Sequence, residues 1–132
     1  MKTKLLLFIA FCLFSTGYSL DSTNSASGSI VNTWIWEKSV GGANNPYTTT
    51  PKTIGFSKKV IFTNDGRVIT YKNDVEIRNS PYQTEKGIGY SDKAEHDLIT
   101  FEGKTYMIEN LDNENLTIIS NNEEGARTIY KR

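Results

Sequence analysis

The one histidine of this chain sits among acids, in the run "DKAEHDL", Asp92 to Leu98. Aspartate, glutamate and imidazole together are a donor set for a divalent metal. Such donors must converge, and in a turn between extended segments alternating side chains point apart. The run therefore reads as a solvated connector, and no metal site is expected. Glu123 and Glu124 pair two carboxylates in the connector "NNEEGA", residues 121–126, and read as solvated too. The chain holds no glycine-rich phosphate loop, no serine elbow and no two-histidine signature. No catalytic residue and no cofactor is expected, and the protein reads as something other than an enzyme. "NLT" at Asn115 is either a glycan acceptor or the start of a strand.

Binding chemistry has a stronger signal. "NTWIWEKSVGG", Asn32 to Gly42, carries both tryptophans, Trp34 and Trp36, two residues apart. In an extended segment they share a face. Each indole can bury about 150–250 Å². One reading makes them core, with Trp34 as a plug at one end. The other gives Trp36 a place on the wall of a ligand cavity.

The chain begins "MKTKLLLFIAFCLFSTGYSLDS". Two lysines, an apolar run from Leu5 to Phe14 and the small residues Ser15, Thr16, Gly17 and Ser19 have the order of a secretory signal peptide, residues 1–19. The apolar run is too short to span a bilayer. Cleavage after Ser19 or after Gly17 fits the small residues. Cys12, the sole cysteine, lies inside the apolar run behind Phe11, which does not suit a lipid-anchor site. Removal of the signal would leave 113 residues, no cysteine, and 13 basic against 15 acidic residues. That slight negative balance argues against a nucleic-acid partner. With no second apolar span, a soluble, monomeric, secreted or periplasmic protein is expected. Residues 20–29, "LDSTNSASGS", read as a flexible leader, and 30–132 as one domain.

Beyond the leader, apolar residues alternate and turn residues recur. The pattern predicts strands at 30–38, 58–63, 67–73, 74–79, 83–90, 96–102, 104–110, 115–120 and 126–131. "TNDGR", "FEGKT", "NLDNEN" and "NNEEGA" punctuate them. Asn64-Asp65-Gly66 suits a three-residue turn with a glycine bulge, which pairs Phe62 with Val68 and turns Tyr71 outward. An open sheet of so many strands would expose two edges, and closing the first strand on the last removes both. An all-β fold follows: an antiparallel up-and-down barrel of about eight short strands, with a two-sheet sandwich as the rival. Val60, Phe62, Tyr106, Ile108, Leu116 and Ile118 would face inward. The connector 39–57 is long, carries Tyr47, Ile54 and Phe56, and suits a gate.

"NTWIWEKSVGG…TP…G", then "VIFTNDGRV", and "RTIYKR" at the end resemble the lipocalin-like domains of small secreted bacterial proteins, of the lipocalin and fatty-acid-binding-protein superfamily. The likeness runs over nearly all of 30–132. Trp34 matches the tryptophan of the family's Gly-x-Trp opening, with Asn32 in place of the glycine. The resemblance implies that a basic residue of the last strand, Arg127 or else Arg132, lies over Trp34 and closes the barrel. It also implies non-covalent binding of a small hydrophobic molecule inside. Trp36, Tyr47, Phe56, Phe62, Tyr106 and Ile108 are the candidate ligand-binding residues. The alternative is a barrel filled by its own side chains. It would act as an interaction or inhibitor module through its loops and an outer patch of Ile61, Ile69 and Tyr71.

Overall fold

The computed structural model describes residues 29–42 and 46–132. The signal and nearly all of the leader lie outside them. Among the described residues nine strands and one helical turn follow in chain order: β1 (Thr33–Val40), β2 (Thr48–Thr49), α1 (Pro51–Ile54), β3 (Lys58–Phe62), β4 (Arg67–Lys72), β5 (Val75–Ile88), β6 (Glu95–Phe101), β7 (Lys104–Leu111), β8 (Asn115–Ser120) and β9 (Arg127–Lys131). Every pairing is antiparallel. From β3 to β9 each strand pairs with the next, and β1 joins β3 on one side and β9 on the other. Eight strands thus close an up-and-down barrel of lipocalin-like architecture, with β2 added to the free half of β1. Among the described residues no helix is long and apolar enough to cross a membrane.

Turn chemistry sets the registers. Phe62 pairs with Val68 and Gly66 takes a positive φ of 84°, as the three-residue turn requires. Asn73 and Asp74 both have positive φ and turn β4 into β5 within two residues, as Glu102 and Gly103 do between β6 and β7. β5 runs as one strand of 14 residues, where the sequence pattern predicts two. The supposed break falls at Ser80-Pro81. Pro81 pairs with Arg67 at the limit of the β4 contact, and pairing to β6 begins at Tyr82. The proline therefore sits at a handover between neighbours, where its missing N–H disturbs neither ladder.

The first and last strands meet over Ile35–Lys131 to Val40–Arg127, with a bulge at Glu37. Trp34 and Trp36 both face inward and are buried. Trp34 is fully enclosed, 0% exposed, among the core that also holds Phe62, Val68, Ile99 and Leu116. Its indole Nε1 donates to the Ile30 carbonyl at 2.9 Å, which ties the approach to β1 beneath the barrel. Phe62 meets Tyr82 and Phe101 edge-on at 5.0 and 5.7 Å, and Phe101 stacks on Tyr106 at 5.1 Å. This aromatic train climbs from the base toward the other end.

The cation expected over Trp34 is elsewhere. Arg127 alternates with the inward Thr128 and Tyr130, so it points out, and it clamps Glu109 at 2.8 and 3.0 Å. Arg132 lies past the strand end and donates to the Asn113 carbonyl. The base is closed by a buried indole and its backbone acceptor, without a guanidinium. Trp34→Ala should therefore lower unfolding free energy by about 3–5 kcal/mol in guanidinium titration. Arg127→Ala removes an exposed ion pair and should cost no more than about 1 kcal/mol. Equal losses in the two variants would contradict this division.

Candidate ligand site

The interior has two zones. The base is filled. Toward the end where β1 finishes, the walls part around a partly enclosed space of about 140 Å³. Val60, Phe101 and Ile118 supply its apolar surface, and Ser39, Thr70 and Thr128 supply hydroxyls. Tyr106 and Tyr130 border it, and so do three charged groups, Lys58, Arg78 and Glu102.

Strand alternation delivers these groups. Lys58, Val60 and Phe62 lie on one face of β3, with Val60 and Phe62 in the core. Thr70 follows the buried Val68 on β4 in the same way. The Glu37 bulge shifts β1 by one position, so that Lys38 sits opposite Ile129 and Ser39 opposite the inward Thr128. Ser39 also receives the Trp36 Nε1 hydrogen bond at 2.9 Å, which links the buried indole to the wall of the space.

The charges are unequally matched. Arg78 Nε lies 3.2 Å from Glu102 Oε2. Lys58 has no carboxylate within ion-pair distance among the described residues. Its Nζ sits over the Trp36 ring, 5.4 Å from the centroid, a weak compensation. Burial, reinforced by Arg78 and offset by Glu102, holds the Lys58 pKa below its usual 10.5. Burial raises the phenol pKa of Tyr130, helped by neighbouring Tyr106 and Glu102, and raises that of Tyr106 with help from Glu102. Both hydroxyls remain protonated donors at neutral pH.

The expected site residues scatter around this space. Tyr106 borders it directly. Trp36 lies behind Ser39 and Lys58. Phe62 belongs to the packed base, one ring below Phe101. Ile108 faces a more open crevice of about 280 Å³ at the opposite end, with Ile30 and Leu111. Lys86 and Asp97 at that crevice pair with each other at 2.8 Å, and the remaining charge on its rim, Glu85, is negative. Tyr47 and Phe56 stay on the 39–57 connector. Tyr47 is 49% exposed, and Phe56 lies under the Lys72 ammonium at 4.4 Å.

The described residues of that connector carry more local structure than the sequence pattern suggests. Thr50 and Thr53 form a reciprocal capping box on α1, and Gly55 ends it in the left-handed region. Its start is held by Gly41 N–H on the Tyr47 carbonyl at 2.7 Å. Its end is held by paired bonds between Ser57 and Asn73, both 2.9 Å. The metal reading of 92–98 reduces to one contact, His96 Nε2 with the Asp92 carboxylate at 2.7 Å. Among the described residues no cluster of three metal-ligating side chains occurs.

Comparison with models of protein families, with curated proteins and with solved structures returns no match to this chain.

Lys58 weakens the fold it sits in. A lysine whose folded pKa lies below its unfolded value destabilises the native state while protonated. The cost is present below the folded pKa and fades as pH rises through it toward 10.5. Lys58→Met should thus be more stable than the native chain at pH 7, by about 0.5–2 kcal/mol in guanidinium titration. The gap should narrow by pH 10. A less stable variant, or a gap that widens with pH, would contradict the placement of Lys58.

Proposed function

We propose that this protein is a non-catalytic binding barrel that takes up a small molecule with an apolar part. The ligand would sit in the upper interior, between Val60, Phe101 and Ile118 on one side and the hydroxyl and charged groups on the other. The single observation behind this reading is the partly enclosed space bordered by side chains from across the barrel wall. Convergent polar groups beside apolar walls are the composition of a ligand pocket. The resemblance of "NTWIWEKSVGG" and its companions to lipocalin-like domains supports the same reading. The 39–57 connector begins at Ser39 and ends next to Lys58, both of which border the space, and its motion would govern access. The signal-like residues 1–19 suggest that binding takes place outside the cytoplasm.

The rival reading, an interaction module acting through its outer face, has less behind it. Its expected patch is muted: Ile61, Ile69 and Tyr71 are each half-buried, and the Lys59 ammonium covers the Tyr71 ring at 5.0 Å. The exposed apolar side chains Ile35, Val75, Ile77 and Ile88 are spread over two strands far apart in the sheet.

Thermal-shift screening of small molecules against the native chain and two cavity-filled variants, Thr128→Phe and Ile118→Phe, tests this proposal. A true ligand at a hundred times its Kd adds about 2.7 kcal/mol to stability. That corresponds to roughly 10 °C or more in Tm for a domain of this size. The shift should be lost in whichever filled variant still melts cooperatively. Shifts that survive both fillings would place binding elsewhere.

A further inference from the structure

The polar part of the upper interior is selective in sign. Glu102 is spoken for by Arg78 at 3.2 Å, whereas Lys58 faces the space with only an indole beneath it. The three charged groups leave one positive charge uncompensated. An ammonium drawn out of water without a counter-ion is costly, and a ligand that supplies one negative charge removes that cost. The neighbouring Tyr106 and Tyr130 hydroxyls, with those of Thr70, Thr128 and Ser39, can donate to the same anion. A dianion such as phosphate would overshoot the single free charge, and it would waste the apolar wall of Val60, Phe101 and Ile118.

Size adds a second limit. The space measures about 140 Å³. An apolar cavity of about 150 Å³ holds one benzene, so there is room for about six non-hydrogen atoms inside, with the rest of a slightly larger ligand at the open side. A long acyl chain does not fit.

We infer that the ligand is a small monoanion, a carboxylate on a compact apolar body, and that Lys58 is the residue that selects it. This rests on reading the upper interior as the binding site. The carboxylate would lie toward Lys58 and the tyrosine hydroxyls. The apolar body would lie against Val60, Phe101 and Ile118.

Calorimetric titration in about 0.15 M salt, where surface charge is largely screened, compares isobutyrate and benzoate with their neutral isosteres isobutyramide and benzamide. Carboxylates should bind at least tenfold more tightly than the matching amides. Lys58→Met should abolish that preference, Lys58→Arg should restore part of it, and Thr128→Phe should remove binding of both classes. If amides bind as well as carboxylates and Thr128→Phe blocks both, the anion assignment falls while the interior site stands. If carboxylates bind but ignore both Lys58→Met and Thr128→Phe, they adsorb to the surface and the inference fails. If neither class binds the native chain, the assignment of this ligand class is overturned. A screening hit of another chemistry that Thr128→Phe abolishes would then still uphold the interior site.

Discussion

Closure of the sheet is the constraint on which the rest of this structure depends. β1 must pair with β3 through its first half and with β9 along most of its length, and the Trp34 indole must fill the base where they meet. Opened at this seam, the sheet would expose two unpaired edges and the largest buried side chain together. The Trp34 hydrogen bond to Ile30 means that the segment entering the barrel also seals it. A cation is unnecessary for this, and Arg127 is released to the outer face, where Glu109 holds it.

The same closure divides the interior. Below, Trp34, Phe62, Val68, Ile99 and Leu116 pack together as the core, and the crevice beside Ile30, Ile108 and Leu111 lies open at that end. Above, the β1 bulge turns Ser39 inward, and short hydroxyl side chains occupy positions where larger apolar residues would complete the core. Thr70 and Thr128 leave space, and Lys58 fills its position at the expense of desolvation. A chain selected for stability alone would place an apolar residue there. Residues that weaken the fold yet converge on one space are characteristic of sites shaped for binding.

Much of the fold was legible because strands and turns leave local signals. The Asn64-Asp65-Gly66 turn gave the right partner for Phe62, and the spacing of Trp34 and Trp36 placed both on the inner face. β5 was not legible as one strand. A proline between two polar stretches looks like a break, and only the change of partner at Pro81 shows why it is harmless. The one-turn helix α1 is too short to show periodicity, although Thr50 and Thr53 carry its capping pattern. The site was less legible than the fold. Of the six candidate ligand-binding residues only Tyr106 borders the space, beside Val60 and Ile118, which were expected to face inward. Lys58 stands two residues before Val60 and four before Phe62, so strand alternation alone places it inside. A charged side chain usually points to the surface, and here strand parity is the better guide. The same parity on β4 would have found Thr70 from Val68. Arg78 carries no comparable signal, because the bulge between Thr70 and Tyr71 pairings resets the alternation of β5.

The central claim is that a small molecule occupies the upper interior. Intermolecular nuclear Overhauser effects between a bound small carboxylate such as isobutyrate and the protein's methyl groups test it most directly. The account expects contacts to the methyls of Val60, Thr70, Ile118 and Thr128, and none to the outward Ile35 and Val75. Contacts confined to those outer methyls, or a saturating complex with none to the four inner ones, would contradict it.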